Sequence, residues 1–353
     1  MNYDLPCGVL NTTYEKDIAI VRTKARWAWL CAGIFLSIVL PPLLGAHWLS
    51  WCIETCVVIV AVLGLYFVTG LCGQISLGQA GFMAVGAYSA TFMMTHLGMS
   101  FWLVVPLASV ITGIVAVIFG LPSLRVKGFY LAMATLASQH IIIWLITHPP
   151  FNRWSGGFDG MTVPAPQLGG FVFDTNQSLF YVTIITTWIM IFFAKNIGRT
   201  RVGRCFVSVR DSDLAASVLG INIFRYKLTA FYLAGIFAGV AGALYAPYIM
   251  RISPDSFNME KSIWYLGMLV VGGSGSIVGA ISGVIFIRLL LELTVIFGPS
   301  IQHVPFIGAY ISNYLGGIVF GLVIILFLIF EPRGINHRWT IFKASFRHHP
   351  FSY

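Results

Sequence analysis

The chain has 353 residues, of which 58% are hydrophobic and only 9% charged, and its mean hydropathy is +0.86. A water-facing surface needs about a quarter of its positions charged, so this composition excludes a soluble globular protein. The net charge of +9 is held in a few short segments between apolar runs, which fits the positive-inside bias of a membrane protein and not a phosphate-tracking stripe.

Residues 1–26 are polar and mixed in charge, and the first apolar run, 27–49, is too long for the roughly 7–15-residue core of a cleavable signal. Within that run, Pro41-Pro42 should kink or end a helix. Further apolar runs cover 51–70, 78–96, 102–121, 129–147, 178–194, 228–248, 263–287 and 313–330, with a less regular stretch at 289–311. Each long run approaches the roughly 20 residues that a helix needs to cross ~30 Å of hydrocarbon. The six cysteines form no CxxC pair and read as small packing residues.

Basic residues cluster at Lys16, Arg22, Lys24 and Arg26, at Arg125 and Lys127, through 195–227, and in the tail from Arg333 to Arg347. Counting spans as above puts all four clusters on one side, the cytoplasm, and leaves 148–177 and 249–262 outside. Ten crossings follow if 289–311 spans, and eight if it is re-entrant and packs with 263–287 as one broken unit. The expected fold is therefore all-α: a polytopic transmembrane bundle of 8–10 spans with broken or re-entrant segments and both termini cytoplasmic. It divides into a cytoplasmic segment 1–26, a membrane domain 27–330 that includes a cytoplasmic loop at 195–227, and a cytoplasmic tail 331–353.

Two glycine-rich runs interrupt this pattern. Residues 70–86 read GLCGQISLGQAGFMAVG, with Gln74, Ser76 and Gln79 at membrane depth, and 272–283 read GGSGSIVGAISG. For the second run, close packing of small residues and an unwound segment lining a polar path stand as alternatives. For the first, two glutamines and a serine within six residues point to an unwound segment facing a cavity or a partner. Arg288 and Glu292 stand at i, i+4 and should pair, while Glu54 lies near the outer face, within reach of water.

No Walker A pattern occurs, and neither do HExxH or GxSxG, so no ATP-hydrolysing, protease or hydrolase site is expected and no cofactor or metal is implied. The basic loop does carry a pattern. Between Ser208 and Leu219 the spacing fits a short amphipathic helix, with Ser212 as N-cap, Leu214, Ala215, Val218 and Leu219 following, and Gly220 as the stop. Such a helix suits docking into another protein's groove, or lying on lipid headgroups.

The segment from Asp213 through Leu214, Ala215, Ala216, Ser217, Val218 and Leu219 to Gly220 resembles the coupling loop of ABC importer permeases, with Asp213 where Glu is usual. More narrowly, the chain is similar to the LivM-type permease subunits of the branched-chain amino acid ABC importer family. Their GQxSLGxAxFxxxGAY run is matched by Gly73, Gln74, Ser76, Leu77, Gly78, Ala80, Phe82, Gly86, Ala87 and Tyr88. Their RxxGxYxAxxTLA run is matched from Arg125 to Ala137, their AGxxGSxxG run is approximated from Gly272 to Gly279, and a Glu331-Pro332-Arg333-Gly334 ending follows. The likeness covers roughly residues 50–335, and Gln79 stands where many relatives carry His.

The resemblance implies a non-enzymatic transport subunit in the bacterial inner membrane, translocating branched-chain or other hydrophobic amino acids. The implied partners are a second related permease, two ATPase subunits, an extracytoplasmic binding protein and membrane lipid, and no nucleic acid. Gly73, Gln74, Ser76, Gly78, Gln79, Tyr130 and Thr135 would contribute to the substrate path. Arg210, Asp211, Asp213, Leu214, Ala215, Ala216 and Gly220 would couple to the ATPase. Members serving urea, short amides or aromatic acids set an alternative substrate class, and a stand-alone carrier or channel is the alternative of another kind.

Overall fold

The computed structural model describes residues 24–124, 126, 128–168, 171–301 and 308–348. Lys16, Arg22, Arg125, Lys127 and Pro305 lie outside the described residues. Helix α1 covers Lys24–Leu43, running through the proline pair and ending one residue beyond it. Helix α2, Ala46–Leu65, runs on into a π-helical turn, Tyr66–Leu71. After an extended stretch, α3 (Gln79–His96), α4 (Phe101–Gly120) and α5 (Phe129–Thr147) follow. A short α6, Asn152–Ser155, leads through β1 (Met161–Thr162), β2 (Gln167–Leu168) and β3 (Phe171–Val172) to α7, Asn176–Arg199.

Two helices, not one, fill the basic loop: α8, Arg201–Asp211, and α9, Asp213–Val218. Then come α10 (Ile223–Ile249), β4 (Arg251–Ile252), α11 (Met259–Gly272), α12 (Ile277–Ile301), α13 (Gly308–Phe330) and α14 (Ile335–His348).

Among the described residues six helices are long and apolar enough to cross a membrane, or up to seven if the bent pair α13 and α14 forms one span. The eight to ten expected from the sequence also counted 27–49 (α1), 78–96 (α3) and the runs 263–287 and 289–311, which the structure divides instead into α11 and α12. Gly, Ala, Ser and Gln dilute the hydropathy of α3, and α11 has only 14 residues. The run 263–287 is not one helix: the chain breaks at Gly273, whose φ of 107° a side chain rarely adopts, and restarts at Ile277. In turn α12 continues through Gly298-Pro299, where a broken segment was expected.

Helix α10 sits at the centre, packed by α2, α3 and α4. Its Gly235, Gly239 and Gly242 meet the backbones of α4 and α3 so closely that an added Cβ would collide with Gly113, Ser109 and Met83. Small-residue faces of this kind let helices gain dispersion contacts where lipid supplies no hydrophobic drive. Gly272, Gly279 and Gly283 join α11 to α12 in the same way, which bears out the packing reading of that run. Large apolar side chains on α4, α5, α12 and α13 face outward, among them Ile118, Met133, Ile296 and Leu322.

Candidate functional site

The unwinding expected near Gly73 is present. The π turn closes with the Cys72 amide donating to the Phe67 carbonyl, and the Gln74 amide donates to the Val68 carbonyl at 2.9 Å. Gly73 then turns with φ 70°, and the chain runs extended to Gly78, the cap of α3. A helix that starts at membrane depth exposes free N–H groups, and each must find a partner inside the protein. Here other helices supply them. The Leu77 amide donates to Thr135 Oγ1 at 2.9 Å, and the Ala80 amide to Ser262 Oγ at 2.9 Å. Ser262 Oγ donates in turn to Gln139 Oε1 at 2.7 Å, and Gln139 Nε2 to the Phe257 carbonyl. Gln79 Nε2 reaches back to the Ala61 carbonyl at 2.8 Å.

The residues expected to line a path are thus divided. Gln74, Ser76, Gln79 and Thr135 are all buried within the chain in this conformation, and Gly78 lies against the Thr135 carbonyl. The Oε1 atoms of Gln74 and Gln79 are buried with no hydrogen-bond partner. Tyr130 stands apart from them in burial: it is 75% exposed at the start of α5. Gln139 and Ser262 belong to the knot although sequence reasoning passed over them. The available signal was the Gln139 amide inside the apolar run 129–147; Ser262 closes the segment 249–262 and carried none.

The second site lies at the corner formed by α8 and α9. Ser212 caps α9 by accepting from the Ala215 amide, and Gly220, with φ 78°, stops it, as expected. Ala216 turns inward and is 1% exposed, whereas Leu214, Val218 and Leu219 stand 81%, 87% and 76% exposed. Ala216, expected from the resemblance among the coupling residues, is instead packed inside its own chain, so its methyl is not part of the outward face of α9. Asp213 Oδ2 pairs at 3.4 Å with Lys227 Nζ, whose side chain is almost wholly buried on α10. Asp211 accepts from Arg210 at 3.0 Å, and Arg210 Nη1 donates to the Gly70 carbonyl at 3.1 Å. A Cβ on Gly73 would lie 2.7 Å from Arg210 Cγ. Arg210 therefore joins the loop helices directly to the unwound end of α2.

A third group of charges sits near the far end of α10. Arg288 pairs with Glu54 on α2 at 2.7 Å, and Glu292 with His47 at 2.5 Å. The expected Arg288–Glu292 pair on α12 is absent, because each side chain finds a closer partner across a helix interface. A pocket of about 230 Å³ opens here, lined by Glu54, Val58, Glu260, Lys261, Trp264 and Arg288 among others. A larger cavity of about 580 Å³ between α3, α4 and α5 is lined almost entirely by apolar side chains such as Val85, Phe119, Ile142 and Trp154. Among the described residues no group of three or more His, Cys, Asp or Glu could hold a metal ion.

Comparison with known proteins bears on the whole bundle. No solved structure matches the chain. The branched-chain amino acid transport permease LivM of Escherichia coli (strain K12) is 29% identical over 89% of this chain and 75% of its own length. Its counterpart in Salmonella typhimurium is 28% identical over the same shares. A nucleoside ABC transporter permease of Lactococcus lactis, NupC, is 24% identical over 74% of this chain and 85% of its own. The family model described as the permease component of the branched-chain amino acid transport system matches residues 48–328, from α2 to the last turn of α13. On that match, and with the unwound segment and loop helices in place, the chain belongs to the family of branched-chain amino acid ABC transport permeases.

Proposed function

We propose that the chain is one of two related membrane subunits of an inner-membrane importer that passes branched-chain or other hydrophobic amino acids inward. Separate ATPase subunits dock at α9, and an extracytoplasmic binding protein docks on the end bearing α6 and the short strands. Both termini and the 195–227 loop are cytoplasmic in this reading, and 148–177 faces outward.

The observation that carries the proposal is α9. Three large apolar side chains are held outward on a helix capped at both ends and anchored by Asp213, Lys227 and Ala216. An exposed apolar face on a fixed element is what a protein partner's groove requires. Movement of α9 reaches the membrane through α8 and Arg210, whose guanidinium grips the Gly70 carbonyl beside the unwound segment. Shifting that segment relative to α5 and α11 would expose Gln74, Ser76 and Gln79 alternately to each side.

Reconstituted vesicles test this. Leu214→Arg should lose ATPase binding and the ATP hydrolysis stimulated by loaded binding protein, with membrane insertion unchanged, since charge is poorly tolerated in a packed contact core. Full stimulation in that variant would remove the coupling role of α9. Uptake of a nucleoside in place of leucine would overturn the substrate class.

A further inference from the structure

We propose that the charged pocket between α2, α11 and α12 is a transient binding site for the backbone ammonium and carboxylate groups of a free amino acid, a proposal that rests on the amino acid importer reading. The pocket carries Glu54, Glu260, Lys261 and Arg288, two charges of each sign, and so presents no net charge. One pair, Arg288 with Glu54, is already closed at 2.7 Å. The remaining capacity is open. Lys261 Nζ touches the Tyr245 hydroxyl at 3.0 Å and lies over its ring, but among the described residues no carboxylate pairs with it. Glu260 likewise has no ion pair among the described residues, and Arg288 Nε is buried without an acceptor.

A bound carboxylate would give the Lys261 ammonium the anionic partner that it lacks among the described residues. The pocket therefore offers a carboxylate the Lys261 ammonium beside the lining guanidinium of Arg288, and offers an ammonium group the two carboxylates Glu54 and Glu260. Val58, Trp264 and Met268 form the apolar part of the wall, where a branched side chain would lie. A neutral solute would leave both signs unanswered, and a simple anion or cation would answer only one. The larger apolar cavity lined by Val85 and Ile142 lacks a charged group for either end of a zwitterion. Position supports the same occupant: Glu260 and Lys261 open α11 beside β4, at the end of α10 remote from α9. Solute delivered at that end meets this pocket before the unwound segment.

The test is equilibrium binding of radiolabelled leucine to the assembled transporter in lipid nanodiscs, without the binding protein. Competitors are leucinol, which lacks the carboxylate, and 4-methylpentanoate, which lacks the ammonium group. The parent should prefer leucine over either analogue by about tenfold or more, the worth of one charge-assisted contact at a partly desolvated site. Lys261→Gln should weaken leucine binding and sharply reduce the preference over leucinol while keeping that over 4-methylpentanoate. Glu260→Gln should do the reverse, and Lys261→Arg should restore binding, which separates recognition from misfolding. Equal competition by both analogues in the parent, or unchanged leucine binding in Lys261→Gln, overturns the site. Leucine uptake by vesicles of the same transporter would in that case still uphold the importer reading. Transporter that carries a nucleoside and no amino acid overturns both.

Discussion

Lys227 is the most confined cation described in the loop region, with its side chain 3% exposed and Asp213 at 3.4 Å. Removing one member of such a pair strands a charge away from water, whereas removing both is far milder. Asp213→Ala should therefore destabilise the folded chain by about 3 kcal/mol, read as thermal unfolding in detergent, and Asp213→Ala with Lys227→Met should recover most of the loss. Asp213→Glu should be tolerated, since the carboxylate is retained. Arg210 makes a different case, because it touches the Gly70 carbonyl and Asp211 at once. Arg210→Ala should leave ATPase binding intact and reduce uptake more than ATP hydrolysis, a split measured on one set of vesicles. The Ser212 cap and the Gly220 stop were both legible in the sequence, because caps are local and follow residue type. The inward turn of Ala216 and the pairing of Asp213 with Lys227 were not, since they depend on how α9 meets α10.

At the scale of elements, the start of α3 shows how a helix can begin inside a bundle, beside Ala61 of α2. Thr135 and Ser262 stand in for water at its free amides. Thr135→Val preserves shape and removes the acceptor, leaving the Leu77 N–H bare at a cost of about 1–3 kcal/mol. Its melting temperature should fall, and Thr135→Ser should restore it. The break itself was readable from Gly73, Gln74, Ser76 and Gly78, because polar groups and glycines at that density cannot stay helical against lipid. Its partners were not readable: Thr135 and Ser262 are far from residue 77 in the chain, and nothing in their local spacing marks them. At 263–287 the glycine-rich run from Gly272 marked an interruption, but hydropathy did not say that the helix ends there and restarts at Ile277. Distance in the chain also explains Arg288, whose nearer neighbour in space is Glu54 and not the residue one turn away.

For the whole molecule, the polytopic helical class followed from composition and the apolar runs, while the number of crossings did not, because α3 falls short in hydropathy, α11 in length, and the runs 263–287 and 289–311 hid where one helix ends and the next begins. Sidedness makes a direct prediction. In a chain stripped of native cysteines, Phe158→Cys should react with an impermeant maleimide added to intact cells, and Val218→Cys only after permeabilisation; the reverse pattern would invert the orientation. The end carrying Phe158 has one more property. Residues 161–162 and 251–252 are zipped antiparallel, Met161 opposite Ile252 and Thr162 opposite Arg251, and Arg251 donates twice to the Asp159 carbonyl. Two connections distant in the chain are thereby stitched into one plate. A protein alighting there meets a landing surface that is already assembled, so little ordering cost is charged against the encounter. Its arrival should then be paced by diffusion and by surface charge, with an on-rate that responds to ionic strength more than to temperature.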